Sequence, residues 1–102
     1  MNKSTPLRNS LTSAQIRAGR ALIRWSAEDL ARASAVGLTT IRRAELTDSE
    51  TSMTAANDLA VRRALEAASV EFIDENGGGP GVRLRKPAKR KRRASEMNRS
   101  GP

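Results

Sequence analysis

The sequence contains no cysteine, no histidine and no tyrosine, and it has one tryptophan and one phenylalanine. Without Cys and His there can be no disulfide bond, no Cys or His metal ligand, and no catalytic group that depends on a thiolate or an imidazole. The chain has 102 residues, of which 37% are hydrophobic, so it can form at most one small domain with a modest core. We therefore expect neither an enzyme nor a metal or other cofactor.

Long apolar runs are also missing. No stretch approaches the roughly 18 apolar residues that a membrane span requires. The N-terminal segment "MNKSTPLRNSLTSAQ" lacks the apolar core of a secretion signal. These absences predict a soluble, cytoplasmic protein with a disordered N-terminal arm over residues 1–10.

The charge is distributed unevenly along the chain. Residues 1–82 carry ten basic and ten acidic side chains, whereas residues 83–102 carry nine basic side chains and one acidic one, so the net charge of +8 lies at the C-terminus. The segment "RKPAKRKRRASEMNRSGP" has no apolar periodicity, which predicts a disordered basic tail over 86–102 that attracts polyanions. There are two alternatives: a solubilising tail without a dedicated partner, and a nuclear localisation signal if the protein is from a eukaryote. The expected phosphate contacts of the tail are Lys89, Arg90, Lys91, Arg92 and Arg93.

The spacing of apolar residues predicts four helices. Hydroxyl side chains suited to cap a helix precede the first, second and fourth, and "SAED" at the second resembles a capping box. In the fourth helix, Leu59, Val61 and Leu65 are expected to face the core and Arg62, Arg63 and Glu66 the solvent. In the first helix, the expected apolar face comprises Ile16, Ala18, Ala21, Leu22, Ile23 and Trp25. The predicted ranges are 12 or 13 to 24, 26 to 35, 38 to 46, and 51 or 52 to 68.

The period changes after the fourth helix. "VEFID" and "VRLR" alternate apolar and polar residues around the turn-forming "ENGGGPG", which predicts a β-hairpin over 70–85. Val70 and Phe72 should face one side, opposite Val82 and Leu84. The glycines lack the Gly-Lys-Ser/Thr ending of a nucleotide-binding loop. A lone hairpin is marginal in water, so it should either pack on the helices or form a dimer contact.

The stretch "LARASAVGLTTIRRAE" has the pattern of two helices joined at a sharp corner. If Gly37 were the corner residue, Arg32 and Arg43 would occupy inward positions, at prohibitive cost in free energy. Ala35 is therefore assigned to the corner, and Gly37 to the start of the next helix. The positions that the pattern requires are then filled by Leu30, Ala31, Ala35, Val36, Ile41 and Ala44.

This register leaves Thr39, Thr40, Arg42 and Arg43 on the outside of the third helix. Threonine can contact base edges, phosphates or the thymine methyl group, and arginine can pair bidentately with guanine. The pattern favours a helix that enters the DNA major groove. The alternative is a solvated helix face in a small bundle.

The stretches "IRAGRALIRWSAEDLARASAVGLTTIRRAE" and "VRRALEAASVEFIDENGGGPGVRLRK" resemble small bacterial regulators of the Xre family, which share the helix-turn-helix of phage Cro and lambda-type repressors. The resemblance covers about Leu11 to Lys86. It implies a mainly α-helical, lambda-repressor-like domain of four to five helices, and a homodimer that binds double-stranded DNA at a palindromic operator and represses transcription. The implied base contacts are Leu38, Thr39 and Arg43, and the implied base or phosphate contacts are Thr40, Arg42, Ser26 and Ala27.

The same resemblance implies a structural ion pair between Arg20 and Glu45. It also exposes departures, because the family usually has Gly at position 35, a polar residue such as Gln at 27, a larger apolar residue at 44, and Gly at 69. Ala27 removes one side-chain contact to phosphate, which the basic tail could offset.

The predicted organisation is an arm over 1–10, a helix-turn-helix domain over 11–69, a β-hairpin over 70–85 and a basic tail over 86–102. Two other functions stay open. One is an antitoxin that binds operator DNA and also masks a toxin protein with its C-terminal part. The other is a basic protein that coats nucleic acid without sequence preference.

Overall fold

The computed structural model describes residues 10–47, 51 and 53–85. In this part of the chain, four helices precede a two-stranded antiparallel sheet, so the fold is small and mainly helical with a short hairpin, as predicted. None of these helices is long and apolar enough to cross a membrane. The predicted arm up to residue 9 and the tail, with Lys89 to Arg93, lie outside the described residues. The elements are α1 Ser13–Leu22, α2 Ala27–Ser34, α3 Leu38–Ala44, α4 Ala55–Ala67, β1 Val70–Ile73 and β2 Gly81–Leu84.

Hydroxyl side chains begin three of the helices. Thr12 caps α1 and Ser26 caps α2, each in a capping box with the third residue of the helix. The expected start of α4 at Thr51 or Ser52 is wrong, because Thr54 is the cap and its Oγ1 accepts a hydrogen bond from the Asn57 N–H at 3.1 Å. Thr51 instead donates its N–H to the Leu11 carbonyl, which ties the segment before α4 to the start of α1.

The corner between α2 and α3 lies at Ala35, the residue assigned to it. Ala35 has φ 64° and ψ 26°, in the left-handed region, and its N–H closes α2 on the Ala31 carbonyl at 2.9 Å. Val36 is then buried, and Gly37, at φ −59°, precedes α3 without any side-chain cap. Gly37 therefore lies at the start of α3 and does not relieve the backbone strain of the positive φ at Ala35.

The core is formed where α2 packs on α3 and α4, and where α1 and α4 pack on the sheet. On α1 the predicted face is partly wrong, because Ala18, Ala21 and Leu22 are exposed while Gln15 and Gly19 are buried. The Gln15 amide donates to the Ile73 and Gly81 carbonyls at 3.3 and 3.0 Å, which satisfies it beneath the hairpin. A Cβ at Gly19 would lie 3.5 Å from the side chains of Leu65 and Val70, so α1 approaches them closely. The buried apolar residues are Leu11, Ile16, Leu30, Val36, Ile41, Ala44, Val61, Leu65, Val70 and Phe72.

The hairpin has the predicted register, in which Val70 pairs with Leu84 and Phe72 with Val82. Its strands pack on α1 and α4 of the same chain, which is one of the two arrangements expected. Two expectations for α4 are wrong, and the packing of the hairpin explains the second. Leu59 is 45% exposed rather than inward, and the side chain of Arg62 is only 14% exposed because its guanidinium lies 5.1 Å from the Phe72 ring centroid and pairs with Glu66 and Asp74.

One buried carboxylate holds the beginning of the described chain. Asp58 of α4 accepts a hydrogen bond from the Leu11 N–H at 3.1 Å, and Leu11 is fully buried. Burial raises the pKa of Asp58, although the Leu11 hydrogen bond and the charge of Arg62 oppose the shift. Sequence patterns did not indicate this contact, since its partners are 47 residues apart.

The left-handed corner predicts that Ala35→Gly stabilises the protein by about 1 kcal/mol, because glycine adopts positive φ without the Cβ strain that alanine carries. Ala33→Gly is the matched control, since Ala33 is exposed within α2 and the same change there costs helix propensity. Thermal or denaturant unfolding should give shifts of opposite sign. A loss of stability in Ala35→Gly would contradict the corner.

Asp58→Asn should stabilise the protein increasingly as the pH rises. A raised folded-state pKa means that the wild-type carboxyl favours folding below its unfolded pKa of about 3.9 and loses that advantage as the pH rises through the folded pKa. Asparagine still accepts the Leu11 hydrogen bond but does not ionise. The measurement is the difference in unfolding free energy between the two proteins from pH 3.5 to 7; a difference that moves in favour of Asp58 would contradict it.

Candidate nucleic-acid interface

The outward face of α3 carries the residues that were predicted to contact DNA. Ile41 and Ala44 are buried, which directs Thr39 and Arg43, one turn apart, away from the core. Leu38 and Thr40 are half-buried on either flank, and Arg42 is exposed. The structure therefore brings Leu38, Thr39, Thr40, Arg42 and Arg43 onto the exposed part of one short helix.

Arg43 differs from Arg42 in that its side chain has neither an ion-pair partner nor a hydrogen-bond partner among the described residues. It lines a shallow groove between α3 and the start of α4, together with Thr40, Met53 and Asn57. The guanidinium is therefore available to an external acceptor without first breaking an internal contact.

Arg42 is engaged differently. Its Nη2 lies 3.0 Å from Oε2 of Glu28, in the first turn of α2, and the two side chains are 58% and 51% exposed. A pair this exposed contributes little to stability. Arg42 is thus held loosely across the gap between α2 and α3, beside Ala27 and Leu46.

The start of α2 is an acidic cap. The Ser26 N–H donates to the Asp29 carboxylate at 2.9 Å, and the Asp29 N–H donates to Ser26 Oγ at 3.0 Å. Hydrogen bonds from Ser26 lower the pKa of Asp29, and a hydrogen bond from its own backbone, followed by the charge of Arg42, lowers the pKa of Glu28. Two of the N–H groups expected near a phosphate are therefore occupied within the turn, and Ala27 offers no polar side chain.

Arg20 and Glu45 form a bidentate ion pair at the other end of α3. Nε and Nη2 of Arg20 each lie 2.7 Å from a Glu45 oxygen, and Nη1 donates to the Trp25 carbonyl at 2.8 Å. The side chains are only 21% and 10% exposed. The hydrogen bond to Glu45 raises the pKa of Arg20 against the effect of burial. This arginine has a structural role and is not available to an external ligand.

Arg17 also stabilises this end of α3, a contact that was not predicted from the sequence. Its Nη1 donates to the Glu45 carbonyl at 2.6 Å and to Ser13 Oγ at 3.2 Å. Glu45 is the C-cap of α3, so Arg17 satisfies a carbonyl that the helix leaves without a partner. The available signal was spacing, because Arg17 lies one turn before Arg20 on α1.

No family model matches the chain, and a search of curated proteins found no significant match.

Arg20 and Arg43 should differ in how much they contribute to the stability of the protein. Arg20→Ala removes one partner of a mostly buried pair and strands Glu45, so we expect a loss of about 2 to 3 kcal/mol in the free energy of unfolding. Arg43→Ala removes an exposed side chain that has no partner in the described part of the chain and should change stability by less than about 0.5 kcal/mol. Denaturant unfolding at fixed pH and salt measures both.

Arg20→Lys is the control for charge, because lysine keeps the cation but loses the bidentate geometry. Its stability should fall between those of the wild type and Arg20→Ala. Equal losses for Arg20→Ala and Arg43→Ala would contradict the division into a structural and a free arginine.

Proposed function

We propose that this protein binds double-stranded DNA sequence-specifically, through a lambda-repressor-like helix-turn-helix formed by α2 and α3, and regulates transcription as a small repressor. The observation that carries the proposal is the α2–α3 corner. Ala35 turns the chain in the left-handed region, Val36, Ile41 and Ala44 anchor α3 in the core, and Arg43 is left exposed without a partner in the described chain. A helix held this way can enter the major groove without rearrangement.

The chemistry of α3 suits base edges. Arg43 can donate two hydrogen bonds to O6 and N7 of guanine, and the Thr39 hydroxyl and methyl groups can meet a base edge or the thymine methyl. Leu38 adds an apolar contact at the start of the helix. Seven residues span about 10 Å, the length of about three base-pair steps, which suits one half-site.

Phosphate contacts supply most of the affinity of such proteins. The cap of α2 offers little, because the N–H groups of Ser26 and Asp29 are occupied and both Glu28 and Asp29 are acidic. The net charge of +8 lies in residues 83–102, so the proposal assigns the main electrostatic contribution to the C-terminal segment. Since one module buries little surface on DNA, a homodimer on two half-sites about one helical turn apart follows.

Selection of DNA from a random pool tests the proposal. The expected product is a palindrome with half-sites centred about 10 base pairs apart. Arg43→Ala should lose about 1 to 3 kcal/mol of discrimination at one position of each half-site, because one bidentate base contact is removed. Arg63→Ala is the matched control, since Arg63 is exposed on α4 and also has no partner among the described residues. Pools that show no enrichment would contradict specific binding.

A chain truncated after Lys86 distinguishes the proposal from the alternative, a basic protein whose tail coats nucleic acid without sequence preference. Under the proposal this chain keeps the same selected sequence with weaker affinity and a shallower salt dependence. Loss of all sequence preference together with the tail would favour the coating protein.

A further inference from the structure

An acidic side chain lies beside the surface that the proposed function turns toward DNA. Glu28 is in the first turn of α2, and its Oε2 is 3.0 Å from the Nη2 of Arg42 on α3. The pair lies beside a groove whose lining includes Ala27 and Leu46. A carboxylate at this position repels phosphate, so its presence on a DNA-binding surface has to be explained.

Stability explains Glu28 only in part. Its lowered pKa shows that the charge favours the first turn of α2, but the cap itself is formed by Ser26 and Asp29, which satisfy each other's backbone N–H groups. The pair with Arg42 is about half-exposed on both sides, which is the class of ion pair that adds little to folding. The corner between α2 and α3 is held by buried apolar residues such as Leu30, Val36 and Ile41.

Arg42 and Arg43 are adjacent but differ in availability. Arg43 has no partner in the described part of the chain, whereas Arg42 must leave Glu28 before it can bind another anion. Arg42 is on the α2 flank of α3, opposite the Thr40 flank, so a duplex that contacts the outward face brings its backbone toward this pair. Phosphate and Glu28 therefore compete for the same guanidinium.

We propose that Glu28 is an affinity-determining residue that weakens binding to the specific site, because Arg42 has to leave Glu28 before it can contact phosphate. The inference rests on the proposed function. On a specific site, the base contacts of Thr39 and Arg43 draw α3 into the groove, and Arg42 exchanges Glu28 for a phosphate oxygen. On other sequences α3 does not enter the groove and Arg42 stays paired with Glu28, so the complex has one phosphate contact fewer than on the specific site.

Glu28→Gln tests the inference, because glutamine keeps the size and the acceptor oxygen but removes the charge. Affinity for the selected site should rise about fivefold, the factor of one exposed ion pair that no longer has to be broken, and affinity for a non-specific duplex by less than about twofold.

Glu71→Gln is the matched control. It removes the same charge from an equally exposed pair, Glu71 with Arg83, whose side chains are 44% and 63% exposed on the hairpin. This variant should leave the ratio of specific to non-specific affinity unchanged. In an Arg42→Gln background, the additional effect of Glu28→Gln on that ratio should disappear, since the competition has no guanidinium to act on.

The outcomes are distinct. A rise in the ratio of specific to non-specific affinity for Glu28→Gln alone, dependent on Arg42, supports the inference. An equal rise for both duplexes, or the same result from Glu71→Gln, overturns it while specific DNA binding stands. A wild-type chain with equal affinity for selected and unrelated DNA overturns the proposed function, and the inference with it.

Discussion

The guanidinium of Arg20 is the contact on which the arrangement of α3 depends. It bridges the Glu45 carboxylate after α3 and the Trp25 carbonyl before α2, so one side chain of α1 fixes the far end of α3 and the approach to α2 together. Arg17 adds a second donor at the Glu45 carbonyl. A helix of seven residues is too short to be stable alone, and its two buried side chains, Ile41 and Ala44, provide limited anchorage. The contacts of Arg20 and Arg17 with Glu45 therefore add stability to α3 that its length and its packing do not provide.

Three chain reversals in the described residues carry backbone strain without glycine. Arg24, Ala35 and Ser69 have φ of 58°, 64° and 83°, and they follow α1, α2 and α4 respectively. At about 1 kcal/mol each, the combined cost is a substantial fraction of the stability of a small domain. Hydrogen bonds stabilise these reversals: the Arg24 and Trp25 N–H groups bond to carbonyls in α1, and the Ser69 carbonyl accepts the Arg85 N–H at 2.7 Å. Of the three, the reversal at Ala35 sets the direction in which α3 leaves α2.

Features that depend on neighbours in sequence could be predicted, and features that depend on the hairpin could not. The caps at Thr12 and Ser26, the corner at Ala35 and the pairing of Val70 with Leu84 all follow from patterns a few residues long. The burial of Gln15 and Arg62 required knowledge of where the strands lie, because carbonyls and a ring from the hairpin are what make a polar side chain acceptable there. Asp58 escaped detection for the same reason, since its partner comes from the other end of the domain. The outward residues of α3 could be identified because Ile41 and Ala44 determine the inward side of so short a helix.

The arginines around α3 form a series in the strength with which the protein holds them. Arg20 is bound by three hydrogen bonds at a mostly buried site, Arg42 by one exposed carboxylate, and Arg43 by no described residue. An external anion competes with water for Arg43, with Glu28 for Arg42, and with a desolvated bidentate pair for Arg20, so the cost of recruiting each rises in that order. A polyanion that approaches α3 can therefore engage the first two without loosening the third. The same residue type is therefore held rigidly at one position and left available at another, according to whether a carboxylate lies next to it and how deeply that pair is buried.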